Sequence, residues 1–398
     1  MRLGELARGL AGAGVDVTVH TCPPHYPDGV VHADYSRRRL ARVEERDGVR
    51  VLRSFVLPAA NRGVVRRLAD HATFAASALV TGRRAGPADV VIAESPPLLL
   101  AAAAPLYARR RGAHLILHVS DLWPDSVVEL GAVTNRFAIG GARRLERSAY
   151  RGAARIVAPT AGIVERLQSR PEAEGKLSRI PPSVDLQRFA APPLSRDGPL
   201  RVLYAGTVGM AQGLATLVEA ARLAGPERVA VTIAGAGAEL DEVRAVARTA
   251  SNVRVLGGLP ADAIPGLYAE ADVAAVLLRD RPLFAGALPT KLFEAMAAGR
   301  PIALAGRGEA ARLVERSGAG VVAAPEDPAA LAAALVALAD RPEDELRAVG
   351  ARGVATAAEF DRRTMVERWC ALLDEVTADS EGRPEARRSG RDRSLSGL

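Results

Sequence analysis

The sequence predicts an α/β protein of two doubly wound, Rossmann-like domains facing a cleft. Short apolar strands alternate with helical stretches in both halves of the chain. Those strands are near-continuous runs of Val, Ile, Leu and Ala, the pattern of parallel strands covered by helices on both faces. Between the halves, Phe189-Ala-Ala-Pro-Pro-Leu-Ser-Arg-Asp-Gly-Pro199 reads as a linker, and 398 residues suit two cores better than one.

Taken in order, residues 2–11 read as a helix, and Gly12-Ala-Gly14 turns the chain into a strand at 15–20. A doubly wound domain opens with a strand and a glycine-rich turn before such a helix. Here that strand and turn are missing. Strands follow at 49–55, 89–93, 114–119, 155–158 and 177–180, giving a first domain over 1–189. After the linker at 190–199, strands at 201–205, 229–234, 252–256, 272–278, 301–305 and 320–323 build a second domain over 200–358. The last ordered element is a helix near 363–376. Residues 379–398, with little apolar content, read as a disordered tail. Ligands in doubly wound sheets sit beyond the carboxyl ends of the strands. Thr207, Gly235, Gly237, Gly257 and Gly258 all follow strands.

Composition narrows the function. Aromatic residues make up 4% of the chain, which weakens any base-stacking model, so no nucleic acid partner is expected. Cys22 and Cys370 are too few for a disulfide framework or a zinc site, and a reducing, cytoplasmic compartment fits. No apolar run is long enough for a transmembrane helix, and no signal peptide is visible. Residues 1–199 hold 29 Lys and Arg against 19 Asp and Glu, while residues 200–398 hold 24 against 27. Arginine clusters at 37–39, 66–67, 83–84, 109–111 and 143–144 give the first half its basic excess. An anionic membrane surface attracts such clusters, and an arginine-rich composition on solvated helices gives the same pattern. The helix around 64–84 mixes arginines with Leu68, Phe74, Leu79 and Val80. It reads first as an amphipathic helix packed on its own sheet, and second as a membrane-surface helix.

The most informative segment is Leu288-Pro-Thr-Lys-Leu-Phe-Glu-Ala-Met-Ala-Ala-Gly-Arg-Pro301. It starts a short helix with Pro289, Thr290 and Lys291. A helix start carries unpaired N–H groups and a partial positive charge, so it attracts phosphate. Lys291 adds a full charge, and Glu294 lies on the same face one turn on. A carboxylate there can accept hydrogen bonds from neighbouring ribose hydroxyls. One helix end would then hold both the diphosphate and the ribose of a sugar nucleotide. The plain alternative is a surface helix capped by Thr290. Against it, a capping box needs its carboxylate where Phe293 stands. Lysine is also rare: Lys176 and Lys291 are the only two among 53 basic residues.

Asp121-Leu-Trp-Pro-Asp-Ser126, Ile180-Pro-Pro-Ser-Val-Asp185, Phe189 and Leu203-Tyr-Ala-Gly-Thr-Val-Gly-Met-Ala-Gln-Gly-Leu214 join the 288–301 segment in one order and spacing. Together they resemble the family 4 retaining glycosyltransferases of the GT-B fold. The nearest likeness is to the bacterial fucosamine-type transferases of O-antigen and capsule assembly, and it covers nearly the whole chain except the tail. The resemblance implies a second domain that binds a nucleotide sugar, usually a UDP-sugar. It implies a first domain that binds a lipid-linked or glycan acceptor, often at the inner membrane face. It also implies a final helix, 359–378, that crosses back onto the first domain, and metal-independent transfer with retention. No cofactor is implied, and the sequence holds no Asp-x-Asp pair and no histidine spacing for a metal. The implied donor site comprises Gly206, Thr207, Gly209, Gln212, Gly235, Gly258, Leu259, Pro289, Thr290, Lys291, Leu292 and Glu294. Glu294 matches the second glutamate of the family's paired motif. The acceptor side comprises His118, Ser120, Asp121 and Trp123.

The chain departs from the family in three places. The first glutamate of the pair falls at Gly286. The usual Arg and Lys of the diphosphate loop fall at Thr207 and Gln212. The opening strand is missing. Lys291 is the candidate to replace the lost charge, with the N–H groups of 206–209. Asp121 is read as orienting or deprotonating the acceptor hydroxyl, or as a helix cap. His118 alternates with apolar residues, as a structural histidine does, and Trp123 suits packing or the acceptor site. A non-catalytic nucleotide-sugar-binding protein and a nucleotide-sugar epimerase are the alternatives. A nicotinamide dehydrogenase is disfavoured, because no strand–GxGxxG–helix unit is present.

Overall fold

The computed structural model describes residues 3–25, 29–35, 40–59, 64–129, 131 and 133–381. The arginines at 37–39 and the tail beyond 381 lie outside the described residues. The first half runs α1 (Leu3–Gly12), β1 (Thr18–Thr21), β2 (Ala41–Arg46), β3 (Val49–Ser54), α2 (Val64–Thr81), β4 (Val90–Ser95), α3 (Leu98–Arg109), β5 (His114–Val119), α4 (Asp125–Glu129), α5 (Arg136–Gly152), β6 (Arg155–Ala158), α6 (Ala161–Gln168), β7 (Leu177–Arg179) and α7 (Leu186–Phe189). The second runs β8 (Leu200–Ala205), α8 (Ala215–Ala224), β9 (Val229–Ala234), α9 (Leu240–Ala247), β10 (Val253–Gly257), α10 (Ile264–Glu270), β11 (Val273–Leu277), α11 (Thr290–Ala297), β12 (Ile302–Ala305), α12 (Glu309–Ser317), β13 (Gly320–Ala323), α13 (Pro328–Ala339) and α14 (Glu343–Ala358), and ends in α15 (Arg362–Glu381).

The second domain is one six-stranded parallel sheet in the order β10-β9-β8-β11-β12-β13. Its strands are continuous apolar runs because helices cover both faces: Leu217, Val243 and Leu335 on one side, Leu292, Met296 and Leu313 on the other. The strand order reverses between β8 and β11, which opens a crevice at their carboxyl ends. Asp272, fully buried at the foot of β11, accepts from the Arg201 backbone N–H at 2.8 Å and from its guanidinium. The linker packs on this domain: Leu194 joins its core, and the buried Arg300 guanidinium donates to the Pro192 carbonyl at 2.8 Å.

The first domain divides into two sheets, β1-β3-β2 and β4-β5-β6-β7, and among the described residues no ladder joins β1 to β4. Helices span the division nonetheless. Leu6 and Leu10 of α1 pack with Ile116 and Val157 of the second sheet and with Trp369 and Leu372 of α15. Thus α15 crosses back onto the first domain, and Arg155 holds it through Glu375 at 2.6 Å. It continues through Glu381, so residues 379–381 are helical and the tail reading is corrected there. β2 escapes sequence prediction because Ala41-Arg-Val-Glu-Glu-Arg46 is charged and exposed. It is the edge strand, paired antiparallel to β3, where charge protects an open edge.

The domains meet at the amino end of α6. Gly162 packs so closely on Gly286 that a Cβ on it would lie 2.5 Å from the Gly286 Cα. Glu309, at the start of α12, accepts hydrogen bonds from the N–H groups of Ala161 (3.1 Å) and Gly162 (3.0 Å). A carboxylate from one domain thereby caps a helix of the other, and the carboxyl end of β6 is turned toward the second domain.

Candidate functional site

The site is built at the reversal of strand order. β8 ends at Ala205, and the chain turns through Gly206 with φ +145°, a conformation that L side chains rarely adopt. Gly235, at the end of β9, lies against that turn so tightly that a Cβ would come within 1.7 Å of the Gly206 carbonyl oxygen. Only glycine fits the contact. Beyond it, Gln212 closes the loop by accepting from the Gly209 N–H at 3.2 Å and donating its own N–H to the Gly209 carbonyl. Its side-chain oxygen is therefore engaged inside the turn.

α11 arrives opposite this turn. Its first turn has no side-chain cap: Pro289 occupies the cap position and Thr290 is exposed. The Lys291 side chain reaches back over Gly206, where a Cβ would lie 2.8 Å from its Nζ. The ammonium donates to the Tyr204 hydroxyl and sits 3.9 Å from the centre of the Tyr204 ring. That hydroxyl in turn donates to the Thr207 carbonyl oxygen. Burial pulls the Lys291 pKa down to about 7, with Glu294 opposing the shift. Burial pushes the Tyr204 hydroxyl above its ordinary range. Tyr268, fully buried on α10, is raised by burial and then by the Glu294 charge, and its hydroxyl contacts the Lys291 carbonyl. Gly206, Thr207, Lys291 and Glu294 thus form one constellation with Tyr204 and Tyr268.

The remaining donor candidates divide. Gly258 lies beside Ala236, and Leu259 is partly exposed after β10. Leu292 is a correction: its side chain is fully buried in the core, because helical periodicity turns it away from the Lys291–Glu294 face. Gln212 turns its side-chain oxygen to its own loop, on the Gly209 N–H. Gly286, where the family pattern places a glutamate, is the residue against which Gly162 packs.

On the first domain, β5 carries Leu115, Leu117 and Val119 toward one helical layer and Ile116 and His118 toward the other. His118 is accordingly a correction to the acceptor set. It packs edge-on against Trp369 of α15 at 5.8 Å, and burial holds its pKa at about 4. Ser120 donates to the Ser95 carbonyl and tempers the burial-raised carboxyl of Glu94. Asp121 accepts from the Leu122 N–H at 2.8 Å, as a turn-capping carboxylate does, while burial raises its pKa. Trp123 is half-buried.

Sequence reasoning missed Tyr204, Tyr268, Glu309 and Arg279. The first two read as strand and helix core. Arg279 follows β11, contacts the 209–213 loop through the Ala211 carbonyl and bonds Glu239 at 3.1 Å. In an arginine-rich chain it carries no signal. Among the described residues no group of three metal-ligating side chains occurs, and no helix is long and apolar enough to cross a membrane.

Comparisons with known proteins agree with this architecture. The glycosyl transferase 4-like domain matches residues 1–183, and the glycosyl transferases group 1 family matches residues 199–341. The chain is 28% identical over 318 residues to the putative colanic acid biosynthesis glycosyl transferase WcaI of Escherichia coli (strain K12), covering 74% of this chain and 76% of that one. It is 31% identical over 266 residues to the probable glycosyltransferase WbjE of Pseudomonas aeruginosa, covering 63% and 66%. Among solved structures, sucrose-phosphate synthase from Thermosynechococcus elongatus superposes with a TM-score of 0.73 at 18% identity, over 95% of this chain and 93% of that one. Anabaena HepE in complex with UDP-glucose superposes with a TM-score of 0.66 at 17% identity, over 90% and 99%. With both halves matched in order, on two Rossmann-like domains joined by a returning helix, the chain belongs to the family 4 type glycosyltransferases of the GT-B fold.

Proposed function

We propose that this glycosyltransferase moves a sugar from a UDP-sugar to a lipid-linked or polysaccharide acceptor, with retention and without a metal. The observation that carries the donor reading is the constellation at the strand-order reversal. An uncapped helix start, the Lys291 ammonium and the Gly206–Thr207 turn converge where a diphosphate would sit. Glu294 stands one turn further for the ribose hydroxyls. Preorganised N–H donors and one cation stabilise charge developing on the departing diphosphate oxygen. Asp121, at the carboxyl end of β5, orients the acceptor hydroxyl.

HepE was solved with UDP and with UDP-glucose, and the name of WcaI refers to colanic acid, which supports a UDP-sugar donor and a polysaccharide product. The sequence likeness to fucosamine-type transferases favours an amino-deoxyhexose or N-acetylhexosamine. The basic clusters of the first half suit a peripheral position on the inner, anionic face of a membrane.

The test is a thermal-shift screen of nucleotide sugars, followed by product analysis with and without a lipid-linked acceptor. Selective stabilisation by UDP-sugars and acceptor-dependent product are expected. Product formed without acceptor would identify an epimerase. Binding without turnover would identify a non-catalytic protein, the outcome that the missing carboxylate at Gly286 favours.

A further inference from the structure

Lys291 does not project freely into the crevice. Its Nζ lies over the Tyr204 ring and donates to the Tyr204 hydroxyl, whose own proton goes to the Thr207 carbonyl. Tyr204 is fully buried in β8, so its ring is fixed by the sheet. One hydroxyl therefore ties the cation of α11 to the turn after β8, across 87 residues of sequence. A lysine stem has four rotatable bonds, and an ammonium on a flexible stem gains affinity for a phosphate when its position is fixed beforehand.

We propose that Tyr204 is a positioning residue of the donor site, holding the Lys291 ammonium over Gly206 at the point where the nucleotide diphosphate binds. This rests on the donor reading above. The titratable groups facing Lys291 are Glu294 on its own helix, Tyr204 on β8 and Tyr268 on α10. Removing the Tyr204 hydroxyl takes away the acceptor of a desolvated ammonium. The flexible stem then swings toward water, and a bound diphosphate must bring it back.

The test uses the chain's two lysines, Lys176 and Lys291, whose 13Cε signals are assigned by comparison with Lys291→Ala. In the wild-type protein the Lys291 signal is expected to titrate near pH 7. In Tyr204→Phe it moves toward the ordinary lysine value. UDP affinity by calorimetry falls about tenfold in Tyr204→Phe, in line with loss of a hydrogen bond to a charged group. In a Lys291→Ala background the same change costs less than about twofold, since coupled residues are non-additive. An unmoved Lys291 titration, or an equal Tyr204→Phe penalty in both backgrounds, overturns the proposal. If Lys291 responds to Tyr204→Phe while UDP binds neither protein, the seat stands and it is the donor reading that falls.

Discussion

The two domains share a fold plan yet spend their polar groups differently. In the second, one unbroken sheet brings Gly206 and Gly235 into backbone contact and leaves a helix start uncapped beside a lysine. In the first, the sheet is divided, and its candidate groups are engaged with their own surroundings: Asp121 with the Leu122 N–H, Ser120 with Ser95, His118 with Trp369. The contrast teaches where ligand chemistry is preorganised. The proposed donor site rests on close backbone contacts. The proposed acceptor side rests mainly on the Asp121 carboxyl, with Trp123 half-exposed.

The largest effects are expected on the donor side. Lys291→Ala and Glu294→Ala should each weaken UDP binding tenfold or more, since a charge-assisted contact is worth about 1.5–3 kcal/mol. Wild-type affinity in both variants would remove the basis of the contrast. Gly206→Ala places a methyl 2.8 Å from the Lys291 Nζ in a backbone conformation unfavourable for alanine. It should cost about 1–3 kcal/mol of stability and displace the lysine, seen together as a lowered Tm and weakened UDP binding.

Glu309→Ala tests the seam between the domains. Two helix N–H groups lose their acceptor, for an expected loss of about 1–3 kcal/mol in thermal unfolding. A wider spread of interdomain distances by small-angle scattering should accompany it. An unchanged melting profile would show that the Gly162–Gly286 contact alone closes the seam.

The pH response follows from Lys291. Its folded pKa, about 7, lies below the ordinary 10.5, so between these values the unfolded chain binds more protons. Its contribution to stability therefore rises with pH across that window. UDP affinity runs the other way, falling as pH climbs past about 7 and the ammonium deprotonates. A flat affinity profile from about pH 6 to 9 would contradict the second sign, and stability that does not rise with pH above about 7 the first. The smallest effects belong to the first domain. Asp121→Asn should lower kcat more than it alters UDP affinity. His118 stays neutral above about pH 4, so His118→Phe should leave the shape of the pH–rate profile between 5 and 8 unchanged.

Much of this was legible in the chain because parallel sheets write themselves plainly. Buried strands are apolar throughout, and each predicted strand has its counterpart, from 15–20 as β1 to 320–323 as β13. β2 was hidden because an edge strand carries charge instead. Lys291 and Glu294 stood out because helix periodicity fixes which residues share a face, and because lysine is so rare here. Leu292 entered the donor set only through the family resemblance, and the same periodicity turns its side chain into the core. His118 was assigned to two roles, and only the packing of α15 chose between them.

The sequence alone determined the two α/β domains and the helix start that bears Lys291 and Glu294, since local patterning and spacing suffice for each, whereas the return of the last helix onto the first domain was implied only by the family resemblance. Tertiary structure decided that Tyr204 holds Lys291, that Glu309 caps a helix of the other domain, and that Gly286 meets Gly162. Those contacts join residues 87, 147 and 124 positions apart. No periodicity within one element reports which side chains the folded sheets bring to the same point.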